Sequence, residues 1–202
     1  GGTWTSSSTP TATIGATTGV VTGVSPGTTN IVYTLPGGCN VANLVTVNLT
    51  PSSISGSSSL CTGGTTTLAD GTAGGSWTSS APGTAGVGSA SGIVSGISPG
   101  TATISYSTTV GCAATFPLTV NLTPSAITGT PVVCAGQTTT LADPDPGGAW
   151  SSGSPLIASV GTSTGTVTGG SPGIASILYT LPGGCNTSVD LTVTPTPNPI
   201  VG

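Results

Sequence analysis

The side chains of this chain that could do chemistry are five cysteines, four aspartates and three pairs of Trp and Tyr, and their positions repeat. Cys39, Cys112 and Cys185 lie 73 residues apart, and so do Cys61 and Cys134, the series Trp4, Trp77, Trp150, and the series Tyr33, Tyr106, Tyr179. Thiols at fixed intervals point to disulfide cross-links. They show no C-x-x-C spacing, and no His accompanies them, so a metal site is not expected. Asp143 and Asp145 form the one close pair of carboxylates, in the stretch Ala-Asp-Pro-Asp-Pro-Gly-Gly. Calcium takes roughly 6–8 oxygen ligands, and the matching loop before Trp77 keeps only Asp70. A solvated turn is the better reading.

Composition removes whole classes of function. The chain has no Lys, Arg or His and a formal net charge of −4. Nucleic-acid binding needs cationic side chains to neutralise phosphates, so no nucleic-acid partner is expected. The many Ser and Thr hydroxyls have no imidazole or amine to activate them. No catalytic residue, cofactor or enzymatic activity is therefore expected. Nor does the chain read as disordered, because it is nearly neutral and its Val, Ile, Leu and Tyr alternate. A surface this poor in charge favours association. No apolar run reaches the roughly 20 residues of a membrane span, and no basic segment followed by an apolar one marks a signal peptide.

These residues must be carried by a repeated unit. The register runs without insertion or deletion from Gly1 to Gly202, and Gly1-Gly2-Thr3-Trp4 matches Gly74-Gly75-Ser76-Trp77. The chain thus starts inside a unit and reads as a window on a longer protein or a processed fragment. Pro- and Thr-rich joints at Asn48–Pro51, Asn121–Pro124 and Thr194–Pro197 cannot continue a sheet interior. They divide the chain into an incomplete repeat at 1–50, repeats at 51–123 and 124–196, and the start of another at 197–202. Within the third repeat, strands are expected at 125–134 (interrupted by Pro131), 137–142, 148–152, 158–160, 165–168, 175–179 and 189–193. Ala102, Ile104 and Tyr106 should share one face, as should Phe116, Leu118, Val120 and Leu122. Short strands separated by Gly-Gly and Ser-Pro-Gly turns predict an all-β fold of tandem antiparallel sandwiches.

The stretch Trp77-Thr-Ser-Ser80, Ala85-Gly-Val87, Gly92-Ile-Val-Ser-Gly96, Ser98-Pro-Gly100 and Thr101-Ala-Thr-Ile104 resembles the bacterial Ig-like domains of group 2. The other two repeats carry the same pattern with conservative exchanges. The resemblance implies Ig-like sandwiches strung into a linear rod, as on bacterial surface proteins, adhesins and extracellular fibres. The position of the cysteines is similar to repeats in long secreted proteins of Bacteroidota. The resemblance brings no catalytic residues with it.

Five cysteines in such a chain imply an oxidising, extracellular location, secreted or at the cell surface. Two pairings respect the repeat: Cys61–Cys112 with Cys134–Cys185, leaving Cys39 unpaired, or Cys39–Cys61 with Cys112–Cys134, leaving Cys185. Chain entropy separates them little, at about 4 against about 3.4 kcal/mol. The first is preferred because a repeat of this size has a marginal core, and that bridge would tie its first strand to its last hairpin. Trp4, Trp77 and Trp150, with Tyr33, Tyr106 and Tyr179, read as core aromatics rather than sugar platforms. Asn48, Asn121 and Asn186 stand in Asn-x-Ser/Thr triplets and are candidate glycosylation positions. The expected function is structural: an extracellular filament or long surface stalk. Its partners would be neighbouring repeats, head-to-tail copies or the continuation of a longer chain, with glycans as a further candidate. The alternative is an adhesin module that binds glycan or another surface through its loops. A sharper version has the tail Pro199-Ile200-Val201 adding as a strand to the open first repeat of the next molecule.

Overall fold

The computed structural model describes residues 1–197; the tail Pro199-Ile200-Val201, where a fresh strand is expected, lies outside the described residues. The described residues contain strands and turns and no helix. By compactness the chain divides into two units, Gly1–Ser55 with Ala69–Thr78 and Ser105–Thr115, and Gly56–Leu68 with Ser79–Ile104 and Phe116 onward. The middle repeat contributes segments to both.

The first repeat contains β1 (Thr3–Ser6), β2 (Ala12–Ile14), β3 (Val21–Gly23), β4 (Gly27–Thr34) and β5 (Asn40–Val47). The middle repeat contains β6 (Ser59–Cys61), β7 (Thr65–Thr67), β8 (Gly75–Ser79), β9 (Ala85–Val87), β10 (Ile93–Gly96), β11 (Gly100–Thr108) and β12 (Ala113–Asn121). The third contains β13 (Thr128–Gly129), β14 (Val132–Cys134), β15 (Thr138–Ala142), β16 (Ala149–Ser152), β17 (Ala158–Val160), β18 (Thr166–Gly169), β19 (Gly173–Thr180) and β20 (Asn186–Thr194).

The third repeat is a sandwich of two four-stranded sheets, ordered β13-β15-β18-β17 and β14-β20-β19-β16. Successive side chains of a strand point to opposite faces, and the alternation in β19 puts Ala175, Ile177 and Tyr179 inward. They meet Leu191 and Val193 of β20, Trp150 of β16 and Val133 of β14 from their own sheet, and Leu141, Ala158 and Val167 from the facing one. The middle repeat has the corresponding sheets β6-β12-β11-β8 and β7-β10-β9. Ala102, Ile104, Tyr106, Leu118 and Val120 are buried there, Phe116 is half-buried, and Leu122 falls just past the strand and is exposed.

One strand departs from the antiparallel expectation. Pro131 has no N–H to continue a ladder, and the segment around it changes sheets. β13 pairs antiparallel with β15, whereas β14 runs parallel to β20, with Cys134 opposite Thr194. The middle repeat has the same parallel edge, with Cys61 opposite Asn121.

The first repeat holds the sheet β1-β4-β5 and the two-stranded β2-β3. Its Val21 is 39% exposed, whereas Val94 and Val167, at the same position of the other two repeats, are fully buried.

Candidate functional site

Two of the five cysteines, Cys61 of the middle repeat and Cys185 of the third, meet at one place. Cys61 ends β6, on the parallel edge of its sheet. Cys185 closes the turn between β19 and β20, in Leu181-Pro182-Gly183-Gly184-Cys185. That turn is held by Leu181 N–H donating to the Cys185 carbonyl and Gly184 N–H to the Leu181 carbonyl, both at 2.9 Å. Gly184 takes φ +83°, a left-handed conformation natural to glycine. Cys61 and Cys185 form a disulfide with Cα atoms 5.8 Å apart, within the ordinary range for such a bridge.

Polar contacts surround the bridge. The Thr62 N–H donates to the Asn121 carbonyl at 2.9 Å. Thr62 and Thr123 are bonded twice: the Thr123 N–H donates to the Thr62 hydroxyl at 2.9 Å, and the Thr123 hydroxyl donates to the Thr62 carbonyl at 2.8 Å. The Asn121 amide donates to the Gly183 carbonyl at 3.3 Å. Leu181 is 8% and Cys185 2% exposed, so the turn is packed at the bridge.

This overturns the expected pairings. Neither Cys61–Cys112 with Cys134–Cys185, nor Cys39–Cys61 with Cys112–Cys134, is formed; Cys39, Cys112 and Cys134 are free. The parallel edge strand is the reason. In the third repeat Cys134 sits beside the last residue of β20, while Cys185 stands just before its first. Nine residues of extended strand put them on the order of 30 Å apart, against the roughly 7 Å that a disulfide tolerates. The staple therefore ties one repeat to the next instead of closing each on itself.

The aromatic residues make a second recurring arrangement. Trp150 tilts against Tyr179 with ring centroids 4.8 Å apart, Trp77 against Tyr106 at 4.8 Å and Trp4 against Tyr33 at 4.6 Å. Trp77, Tyr106, Trp150 and Tyr179 are buried, whereas Trp4 and Tyr33 are half-buried. Each Tyr hydroxyl accepts from a glycine N–H at 2.8 Å: Gly2 to Tyr33, Gly75 to Tyr106, Gly148 to Tyr179. Tyr179 also donates to the Asp145 carbonyl at 2.6 Å, and Tyr106 to the Thr72 carbonyl at 2.5 Å. A Cβ at Gly75 would come within 2.5 Å of the Tyr106 ring, and one at Gly148 within 2.4 Å of the Tyr179 ring.

The carboxylates act on the backbone. Asp70 accepts from the Thr72 N–H at 2.7 Å, Asp143 from the Asp145 N–H at 2.9 Å and Asp145 from the Ser125 N–H at 2.7 Å. Among the described residues no group of three or more His, Cys, Asp or Glu is gathered as a metal site would need. Of the glycosylation candidates, Asn48 and Asn186 are exposed, while Asn121 is half-buried with its amide engaged at the junction. Sequence reasoning missed Asn121, Thr62, Thr123 and Gly183 as junction residues. The available signal was the turn itself: Tyr33–Asn40 and Tyr179–Asn186 are the same eight residues, YTLPGGCN, where the middle repeat has YSTTVGCA.

No protein-family model matches the chain, and no curated protein matches it either. The group 2 bacterial Ig-like family expected from the motifs is thus not confirmed. Among solved structures, the C-terminal 282-residue fragment of intimin, in complex with the intimin-binding domain of the translocated intimin receptor, is similar over 71% of this chain and 64% of its own length, at 13% identity and a TM-score of 0.49. Domains 1–6 of the surface layer protein SbsC are similar over 98% of this chain and 35% of their own length, at 19% identity and a TM-score of 0.33. Drosophila N-cadherin EC1–4 is similar over 96% of this chain and 67% of its own length, at 15% identity and a TM-score of 0.29. The chain thus spans less than two thirds of the first two fragments. The all-β sandwich assignment rests on the packed sheets themselves.

Proposed function

We propose that this chain is a structural protein of the extracellular space, in which tandem Ig-like repeats build a filament or a long surface stalk. The observation that carries this reading is the Cys61–Cys185 bridge, which joins a strand of one 73-residue repeat to a turn of the next. A disulfide persists in oxidising compartments, which supports a secreted or cell-surface location. A staple between repeats adds nothing to catalysis, but it makes a junction resist separation. The repeat boundaries at 1–50, 51–123 and 124–196 belong to this proposal. So does membership of the group 2 bacterial Ig-like domains, which rests on motif resemblance.

The mechanism follows from the parts. Each complete sandwich supplies a small core, the Trp–Tyr pair anchors an edge strand to the inner strand beside it, and the bridge with its threonine and asparagine contacts fixes the third repeat to the middle one. With no Lys or Arg, the chain offers no site to trypsin-like proteases. Negative-stain or cryo-electron microscopy of native material tests the reading. Uniform fibres or stalks with an axial period of one repeat are expected; dispersed particles with reproducible micromolar glycan binding would replace it with the adhesin alternative. That alternative lacks exposed aromatic platforms in the middle and third repeats, where Trp77 and Trp150 are buried.

A further inference from the structure

We infer that in mild acid the chain cuts its own peptide bond between Asp145 and Pro146, and that the Cys61–Cys185 bridge holds the two pieces together afterwards. A bond of this type carries its own reagents. The aspartate carboxylate reaches its own main-chain carbonyl carbon through a five-membered ring, so the attack takes place within one residue. The proline nitrogen, a tertiary amide, leaves as a secondary amine once it takes a proton. The stretch Ala-Asp-Pro-Asp-Pro-Gly-Gly holds two such bonds, after Asp143 and after Asp145. Their surroundings differ.

At Asp145 the carbonyl under attack is already engaged. The Tyr179 hydroxyl donates to it at 2.6 Å and itself accepts from the Gly148 N–H at 2.8 Å. This relay ends on the oxygen that gains negative charge during the attack, where a fixed donor lowers the barrier. Tyr179 is buried against Trp150, so the donor is held in place. The Asp145 carboxylate is steadied as well: its Oδ2 accepts from the Ser125 N–H at 2.7 Å, which leaves Oδ1 as the nucleophile. Pro146 is exposed to solvent acid. The titratable groups around the bond are Tyr179 and Asp143, whose Oδ1 accepts from the Asp145 N–H at 2.9 Å. No side chain donates to the Asp143 carbonyl among the described residues, so the first Asp-Pro bond lacks the relay.

The middle repeat makes the same relay without the reagents. Gly75 N–H donates to the Tyr106 hydroxyl and Tyr106 to the Thr72 carbonyl, but the bond that follows joins Thr72 to Ala73. The donor thus belongs to the fold, and the aspartate and proline are what the third repeat adds.

In the cleavage step Oδ1 bonds to the Asp145 carbonyl carbon, the carbon–nitrogen bond to Pro146 breaks, and the nitrogen takes a proton from hydronium. The cyclic anhydride left on Asp145 then adds one water, which restores the side-chain carboxyl and leaves a new terminal carboxyl. The net change is hydrolysis of one peptide bond, once per chain, with no oxidant or reductant. The pieces are residues 1–145, which carry Cys61, and 146–202, which carry Cys185, so the bridge spans the cut. The main chain opens, and the pieces stay joined until the bridge is reduced.

The test incubates the full 202-residue chain in mildly acidic formate buffer, folded in one sample and urea-unfolded in another, and reads the products by mass spectrometry with and without reductant. With no Lys, Arg or His, acid breaks no side-chain ion pair, and Trp fluorescence checks that the first sample stays folded. The folded chain should be cut after Asp145 about 10-fold faster than the unfolded chain, and about 10-fold faster than after Asp143, part of what an oxyanion donor contributes in enzymes. Without reductant the product should weigh one water more than the chain; with reductant it should separate into the two pieces. Tyr179→Phe should slow the cut by about 10-fold, while Asp145→Thr and Pro146→Ala, which install the middle repeat's residues, should abolish it. Should Tyr179→Phe lose its fold, the reverse graft decides: Thr72→Asp with Ala73→Pro, beneath an intact Tyr106, should gain a second cut after position 72. Unfolding of the chain in this buffer, equal rates in the folded and unfolded samples, a preference for the bond after Asp143, or no second cut in the graft overturns the inference.

Discussion

Removing the inter-repeat bridge with Cys61→Ala and Cys185→Ala should be the most damaging conservative change available in this chain. The bridge closes a loop with a sequence separation of 124, and the chain-entropy relation makes such a constraint worth about 5 kcal/mol. A domain is stabilised in total by roughly 5–15 kcal/mol, so the loss takes a third or more of the folding free energy. With a urea slope of roughly 2–3 kcal/mol/M, the midpoint followed by Trp fluorescence should fall by about 2 M. The control is Cys112→Ala with Cys134→Ala, which should leave the midpoint within about 0.3 M because those thiols are free. Thiol titration of the denatured, unreduced monomer should find three thiols per chain, whereas bridges within each repeat would leave one. One thiol, or equal midpoint shifts for the two double variants, would refute the assignment of Cys61 to Cys185.

Other perturbations report on other parts of the molecule. Tyr179→Phe leaves the Gly148 N–H and the Asp145 carbonyl without their partner and should cost about 2 kcal/mol. Tyr33→Phe removes a single bond to Gly2 in a half-buried setting and should cost about half as much, as read by urea unfolding. Gly148→Ala drives a methyl group into the Tyr179 ring and should destabilise by roughly 1–3 kcal/mol, while Gly83→Ala, with nothing near its added carbon, should stay within about 0.5 kcal/mol. Asp145→Ala should cost about 1 kcal/mol through the lost bond to the Ser125 N–H. Asp145→Thr should recover most of it, because Thr72 already makes the equivalent bond to Ser52 at 3.0 Å. In single-molecule pulling from the two termini, reduction should release about 430 Å of contour hidden behind the bridge; an unchanged contour length would refute it.

Much of the sandwich was legible because its signals are local. Ala175, Ile177 and Tyr179 alternate with polar neighbours, so their inward face could be read directly, and β19 and β20 extend the expected strands by one to three residues at each end. The Trp and Tyr series share one spacing, and β16 and β19 bring Trp150 opposite Tyr179. Core membership was less uniform than the repeat suggested. Trp4 and Tyr33 have local sequences close to those of their counterparts, but they are half-buried where Trp77, Tyr106, Trp150 and Tyr179 are buried, a difference that depends on contacts distant in sequence.

The disulfide was illegible for a different reason. Loop entropy grows only logarithmically with length, so bridges of about 3.4, 4 and 5 kcal/mol cannot be told apart by stability. What decides the pairing is the direction of a three-residue strand: Ser59–Cys61 and Val132–Cys134 lie parallel to the last strand of their repeats. Three residues carry too little alternation to reveal direction, and the antiparallel assumption would have put Cys134 beside the turn that holds Cys185. Run the strand the other way and the thiol lands at the opposite end of the sandwich, where only a neighbouring repeat can reach it.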